Sequence, residues 1–548
     1  MFRFIIFCVL IINIRAEEHS RVVELDEGPV VGEKYWNGDY FEFYGVPYAT
    51  APSGRDKFKA PLPVEPRKTP LHASAKNIIC QQIYYTGDED EEIMLYGEED
   101  CLKMNIMVPT VANENNLVPV LVYIHSGAFA GGNGNMMRTP YLSRHDVIVI
   151  TFNYRIGAIG FACLGTEEIP GNAGLKDQVA ALRWINKNIK KFGGDPTKVT
   201  VAGFSVGATM AELLALSKTT DGLIDKIILE SGSALSPFAI NRDPISTVKN
   251  VAISLGYKDN GNLRELNEFF LNAPVANITA KSLNFFLTNS TFGFAPCIEN
   301  VFENNEPFLT ESPLDILSKN SHDISVLTGF ANMEGLSRVS KFEEWSEMMN
   351  KDFNPFLPAD LVFKDNKVRD DFINEIKEYY FKNKEVSPDN LQGYVDYFSD
   401  SMFKYSILKS AKLHAAKSKR SVYLYEFSYI GGLNMRHNYA DRILGASHRD
   451  QTAYILDFFS STQRVDDMIT RDRLTFMWTD FVKYEDPTAY ESSLIDIKWL
   501  KYSNEQPNYL SVNDRLEMKR DLLANSYEFW NKVYEKHYWN PSSPDKRN

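Results

Sequence analysis

The chain has 548 residues, 44% of them hydrophobic and 24% charged, which is enough apolar material for a large buried core and excludes a disordered or fibrous polymer. Lys and Arg number 59 against 72 Asp and Glu, a formal net charge of −13. No basic run stands out, so the chain lacks the phosphate-neutralising face that a nucleic-acid partner requires.

The first sixteen residues, MFRFIIFCVLIINIRA, set Arg3 ahead of the apolar stretch 4–12 and a small Ala16 before Glu17. This pattern predicts a secretory signal peptide over 1–16, too short to span a bilayer, with a single domain over 17–548. No later segment supplies eighteen consecutive apolar residues, and the tail WNPSSPDKRN carries neither a lipid-anchor signal nor a retention signal. A secreted, extracellular protein with no stable membrane anchor is expected. Loss of Cys8 with the leader leaves Cys80, Cys101, Cys163 and Cys297, which can pair in three ways. Asn277-Ile-Thr and Asn289-Ser-Thr are predicted glycosylation sites.

Along the chain, the runs RVVELDEG, PVVGEKYW and DYFEFYGVPYA, with Asn37-Gly38 between the last two, predict an antiparallel hairpin at the start of the sheet. Eight carboxylates lie from Asp88 to Asp100, between Cys80 and Cys101, and predict a solvated loop. From Val118 the pattern changes to short, continuous apolar runs: VPVLVYIH, DVIVITFNYR, KVTVAG, DKIILES, DISVLTGF and SVYLYEFSY. Runs without alternation are what strands buried on both faces require. Val179, Leu182, Ile185, Ile189 and Phe192 recur at helical spacing, and Gly193-Gly194-Asp195-Pro196 ends that helix. A more helical, aromatic stretch from about Lys341 to Lys419 interrupts the strands. The predicted class is α/β: a mostly parallel central sheet covered by helices on both faces, with an antiparallel N-terminal edge.

Chemistry centres on Gly203-Phe204-Ser205-Val206-Gly207, a G-x-S-x-G motif with the β-branched run 198–202 before it and the helix-forming ATMAELLAL after it. A strand, a sharp turn and a helix form a nucleophile elbow that exposes the serine hydroxyl. Glycines two residues to either side leave room for the bend. A serine needs an adjacent base, and that base an orienting carboxylate. His125 ends a strand run and opens Ser126-Gly127-Ala128, a segment whose backbone N–H groups can face an oxyanion, so it is assigned to loop support. His448, in Gly445-Ala-Ser-His, is the candidate base. Glu334 follows the buried run DISVLTGF, at the strand end where ligands bind in open α/β sheets. The order Ser205, Glu334, His448 is the order this fold uses.

The motifs YFEFYGVPYATAP, EEDCLKMNIMVP, VLVYIHSGAF, NYRIGAIGF, FGGDPTKVTVAGFSVG, ESGSALSPFA, GFANMEG, GASHRDQ and MWTDFVKYEDPT span nearly the whole chain. Together they resemble the type-B carboxylesterase and cholinesterase family of α/β-hydrolases, and within it the secreted insect carboxylesterases. The resemblance implies Ser205 as nucleophile, His448 as base and Glu334 as its partner, with Gly127, Ala128 and Val206 donating N–H groups to the oxyanion. It implies a carboxylic-ester hydrolase acting on small lipophilic esters through an acyl-enzyme, without metal or organic cofactor. It also implies a Cys80–Cys101 disulfide, with Cys163 and Cys297 as buried thiols, and a structural Arg155–Asp177 ion pair. The chain departs from the family at Ser126, Phe204 and Val206. Phe204 removes the acidic residue of cholinesterases, and the 81–100 loop has no Trp, so the aromatic platform for quaternary ammonium is missing. Juvenile-hormone esterases usually carry Gln at the Phe204 position. A hormone-type or odorant-degrading esterase, and a non-catalytic binding or sequestering protein on the same scaffold, are the alternatives. Phe238 is read as either an acyl-pocket wall or an ordinary core aromatic.

Overall fold

A computed structural model describes residues 19–84, 94–282, 287–319, 323–458 (without 436, 438, 440 and 441) and 461–542. The predicted leader lies outside the described residues. The strands are β1 (Ser20–Val23), β2 (Val30–Lys34), β3 (Tyr40–Pro47), β4 (Leu71–His72), β5 (Gln82–Tyr84), β6 (Met94–Tyr96), β7 (Lys103–Pro109) and β8 (Val118–Ile124). There follow β9 (Ile148–Phe152), β10 (Gly194–Phe204), β11 (Lys226–Glu230), β12 (Ser325–Ala331), β13 (Val422–Phe427), β14 (Asn508–Val512) and β15 (Leu516–Arg520).

The main sheet has thirteen strands in the order β1-β2-β3-β7-β9-β8-β10-β11-β12-β13-β14-β15, with β4 paired to β2. From β9 to β14 every neighbour is parallel, whereas β1 to β9 and the last pair, β14–β15, are antiparallel. The expected α/β-hydrolase architecture is therefore present, including its antiparallel N-terminal edge.

Buried strand residues alternate between two apolar layers. Val120, Val122 and Ile124 of β8, Val199 and Val201 of β10, and Ile227 and Leu229 of β11 enter one layer. Leu121 and Tyr123, Ala202 and Phe204, and Ile228 enter the other. Helices Ala173–Asn188 and Val206–Leu216 cover the first face through residues such as Leu182, Ile185, Met210 and Leu213. Helix Val465–Tyr484 covers the second through Leu474, Met477, Trp478 and Phe481. Each such side chain, fully buried, stabilises the fold by about 1.5–3 kcal/mol, and double-sided burial explains why the strands read as unbroken apolar runs. The helical stretch after β12 packs a third layer of its own, rich in Phe, Tyr and Trp.

Two local expectations are refined. The hairpin at Asn37-Gly38 forms between β2 and β3, but only Gly38 has positive φ (85°); Asn37 instead closes the turn by accepting the Asp39 N–H on its side chain. The acidic segment expected to be a loop contains a two-stranded ribbon, β5 with β6; its central carboxylates, 88–92, lie outside the described residues.

Candidate active site

β10 delivers Ser205 on a turn that hard-sphere contacts dictate. Ser205 has φ 56° and ψ −122°, a strained conformation for a non-glycine residue. A Cβ on Gly203 would lie 2.3 Å from the Gly207 carbonyl carbon, and one on Gly207 would lie 2.4 Å from the Ile124 oxygen. A Cβ on Gly232 would come within 2.1 Å of the Ser205 carbonyl oxygen, so the G-x-S-x-G pattern has a third, unpatterned partner. The Ser205 N–H donates to the Glu230 carbonyl at 2.8 Å, which ties the bend to β11.

Glu334 leaves the end of β12 fully buried. His448 reaches it from a loop held by Asp450, whose carboxylate accepts the N–H groups of Ser447 (2.6 Å) and Met435 (2.8 Å) and the Asn434 amide (3.0 Å). Burial pushes the Asp450 carboxyl up to about 6. The loop is also stitched to the Glu334 turn: Ala446 N–H donates to Asn332 Oδ1 at 2.8 Å, and Met333 N–H to the Ala446 carbonyl at 2.9 Å. The three predicted side chains meet, with His448 Nε2 2.9 Å from Ser205 Oγ and His448 Nδ1 2.5 Å from Glu334 Oε2.

The other oxygen of Glu334 accepts from Ser231 Oγ at 2.5 Å and from Ala331 N–H at 2.8 Å. Ser231 in turn accepts from the Gln451 amide at 2.5 Å. Neither Ser231 nor Gln451 was selected from sequence. The available signal was position: Ser231 follows β11, between the strands that carry Ser205 and Glu334.

Gly127 (φ 128°), Ala128 (φ 53°) and Phe129 (φ 61°) turn the chain after β8 in a shape that leaves N–H groups unspent. Among the described residues nothing accepts a hydrogen bond from the N–H of Gly127, Ala128 or Val206, the last being the first residue of its helix. The Gly127 carbonyl accepts from Ala130 and Gly131, and a Cβ on Gly127 would meet the Gly131 oxygen at 2.0 Å. His125 stacks on Tyr154 with centroids 4.2 Å apart, and burial lowers its imidazole to about 4, so it supports the loop as a neutral ring. Gln82 bonds both the N–H (2.9 Å) and the carbonyl (3.0 Å) of Gly132. That link joins the loop to the Cys80–Cys101 segment and was not visible in the sequence.

Cys80 and Cys101 are disulfide-bonded, with Cα atoms 4.9 Å apart. Cys163 and Cys297, expected as buried thiols, are also bonded, and this corrects the sequence reading. Gly171 brings the two together: its φ is 105°, and a Cβ there would lie 2.4 Å and 2.9 Å from the two sulfurs. Arg155 holds Asp177 through Nε at 2.8 Å and Nη2 at 2.6 Å, a buried pair tying β9's exit to the helix Ala173–Asn188, as expected of a structural ion pair. Phe238 is buried against Phe292 and Phe403. A second His–carboxylate pair, His414 with Glu212 at 3.0 Å, is closed to solvent.

Among the described residues, no helix is long and apolar enough to cross a membrane. Asn277 is exposed, while Asn289 is half-buried, its side-chain oxygen accepting from Thr291 Oγ1 at 2.6 Å.

The model of the carboxylesterase family matches residues 19–530. Esterase FE4 of Myzus persicae is 32% identical over 503 residues, 88% of this chain and 86% of that one. The juvenile hormone esterase of Tribolium castaneum is 27% identical over 522 residues, covering 89% and 87%. Among solved structures, juvenile hormone esterase from Manduca sexta, with OTFP covalently attached, superposes with a TM-score of 0.82 at 27% identity, covering 94% of this chain and all of that one.

Proposed function

The chain belongs to the carboxylesterase family and is a carboxylic-ester hydrolase, and we propose that Ser205, His448 and Glu334 are its catalytic triad. The observation that carries this reading is the continuous hydrogen-bond chain from Ser205 Oγ through both ring nitrogens of His448 to a fully buried carboxylate. In the proposed reaction, Ser205 Oγ attacks the ester carbonyl carbon as His448 Nε2 takes its proton. The carbonyl oxygen becomes an oxyanion, stabilised by the N–H groups of Gly127, Ala128 and Val206, each such donor lowering the barrier by about 2.7–4 kcal/mol. The imidazolium then protonates the departing alkoxide, alcohol leaves, and an acyl-enzyme remains on Ser205. Water, deprotonated by His448, attacks the acyl carbon to form a second oxyanion, which collapses as the bond to Ser205 Oγ breaks; the imidazolium returns the proton to Oγ and the acid leaves. Glu334 keeps the Nδ1–H tautomer and stabilises the imidazolium without taking the proton.

The substrate reading is a lipophilic ester, supported by the aromatic surroundings of the site at Phe204, Phe238, Phe292 and Phe403. Secretion, with removal of 1–16 and glycosylation at Asn277 and Asn289, is supported by two disulfides, which persist in oxidising compartments. The deciding experiment is labelling with a fluorophosphonate probe. Stoichiometric modification mapped to Ser205, blocked in Ser205→Ala, is expected; folded protein that stays unlabelled would reject the triad in favour of a binding protein. A panel of aryl esters, fatty-acyl esters and terpenoid methyl esters then separates a general esterase from a hormone-type one.

A further inference from the structure

Hydrogen bonds at Nδ1 and Nε2 hold an imidazole along the line joining its two nitrogens, but they leave the ring free to tilt about that line. His448 stands in a loop of small residues, Gly445-Ala446-Ser447, which supply no side-chain bulk to prevent the tilt. Two aromatic rings supply it. Phe204 packs on the imidazole with centroids 4.7 Å apart and Phe403 with centroids 4.4 Å apart. They come from different layers of the fold, Phe403 from the apolar cluster on one face of the sheet and Phe204 from the cluster on the other.

Phe403 owes its direction to a backbone irregularity. Residues Asp400–Lys404 form a π-helical turn between the α-helices Leu391–Ser399 and Tyr405–Lys417. The extra residue in such a turn rotates the side chains that follow out of their α-helical phase. The turn is fastened on both sides. Asp400 accepts from Tyr380 OH at 2.9 Å and from Ser526 Oγ at 2.5 Å. Lys404 Nζ donates to the Asn332 carbonyl at 2.7 Å, and Ser399 Oγ accepts the Gly335 N–H at 2.8 Å. Asn332 and Gly335 bracket Glu334, and a Cβ on Gly335 would lie 2.1 Å from the Val395 oxygen, so the helix backs directly onto the Glu334 turn.

We propose that Phe403, aimed by the π-helical turn and assisted by Phe204, is a positioning residue that fixes the plane of the His448 imidazole relative to both Glu334 and Ser205. The role rests on the triad reading above. The same helical element grips the acid's turn and covers the base's ring, so the two halves of the relay are set by one rigid piece. Phe204, packed on the same imidazole from the opposite apolar layer, completes the confinement.

The test compares Phe403→Leu, Phe403→Tyr and Phe204→Leu in the full chain, using 4-nitrophenyl acetate and 4-nitrophenyl octanoate, with thermal midpoints as folding controls. Phe403→Leu is expected to lower the single-turnover acylation rate and kcat for both esters by roughly tenfold to a hundredfold, the scale of a 1 Å misplacement. KM for acetate should stay near wild type, and Phe403→Tyr, which keeps the ring, should restore most of the rate. Phe204→Leu should slow both esters as well, and it decides the matter alone if Phe403→Leu does not fold. Loss of octanoate turnover with acetate untouched would make these rings walls of an acyl pocket and overturn the proposal. So would a Tyr variant as slow as the Leu variant. Wild-type labelling at Ser205 is scored separately: if it fails, the triad itself is wrong, whereas labelling with unimpaired Leu variants removes only the positioning role.

Discussion

Ser231 Oγ lies 2.5 Å from Glu334 Oε1, while the other oxygen of the same carboxylate holds His448 Nδ1 at 2.5 Å. The carboxylate is thus fixed from both ends. Ser231→Ala removes one charge-assisted bond and leaves the Gln451 amide without its acceptor. Such bonds contribute about 1.5–3 kcal/mol, so kcat should fall at least about tenfold with KM nearly unchanged. Steady-state kinetics on one aryl ester check this; an unaltered kcat would mean that Ala331 N–H and His448 suffice to hold Glu334.

Gly232→Ala tests whether the elbow depends on more than its motif. The added methyl would press within 2.1 Å of the Ser205 carbonyl oxygen, a backbone atom that cannot swing away. Displacing the proposed nucleophile by about 1 Å should slow acylation by about a hundredfold. The rate of fluorophosphonate labelling reports this directly. A variant labelled at the wild-type rate would show that the bend has slack.

Glu230 gives a pH signature in stability. It is buried among Tyr123, Thr452 and Trp478, and burial raises its carboxyl from the ordinary 4.5 to about 7. The folded protein therefore holds a proton here that the unfolded chain releases. The resulting stabilisation is complete below about pH 4.5 and is lost as pH rises through about 7. Glu230→Gln should remove this dependence: relative to it, wild type should lose a few kcal/mol, on the order of 3, between those limits. Thermal midpoints of both proteins from pH 4.5 to 8.5 provide the comparison, and parallel curves would contradict the assignment.

Cys163–Cys297 closes a span of 134 positions, against 21 for Cys80–Cys101. Removing a native bridge costs about 2–5 kcal/mol, more for longer loops in the chain-entropy account. Cys163→Ala/Cys297→Ala should lower the urea midpoint more than Cys80→Ala/Cys101→Ala. The second pair of substitutions should instead bear on activity, because Gln82, two residues past Cys80, grips Gly132 of the loop proposed to hold the oxyanion. Denaturation and kinetics of the two double variants separate these effects.

What could be seen in the sequence followed from how local each constraint is. The elbow was legible because Gly203, Ser205 and Gly207 satisfy a steric requirement within five residues, and β8 to β13 because burial on both faces needs unbroken apolar runs. Glu334 was legible as a carboxylate just past such a run. His448 came only with chain order and family resemblance, since nothing in a Gly-Ala-Ser-His loop marks a base. The Cys163–Cys297 bridge, Ser231, Gln82 and the π-helical turn under Phe403 were beyond sequence spacing. Each depends on surfaces that come together only when segments tens to hundreds of positions apart have packed.

The arrangement of the sheet also sets when a newly made chain can act. Ser205 emerges from the ribosome 243 positions before His448, and β13 receives its outer neighbour, β14, only at Asn508–Val512. A product ending between residues 205 and 448 lacks the proposed base, and one ending before residue 508 lacks the strand that pairs with β13. On the proposed triad, ester cleavage therefore becomes possible only after residue 448 of the 548 has been made.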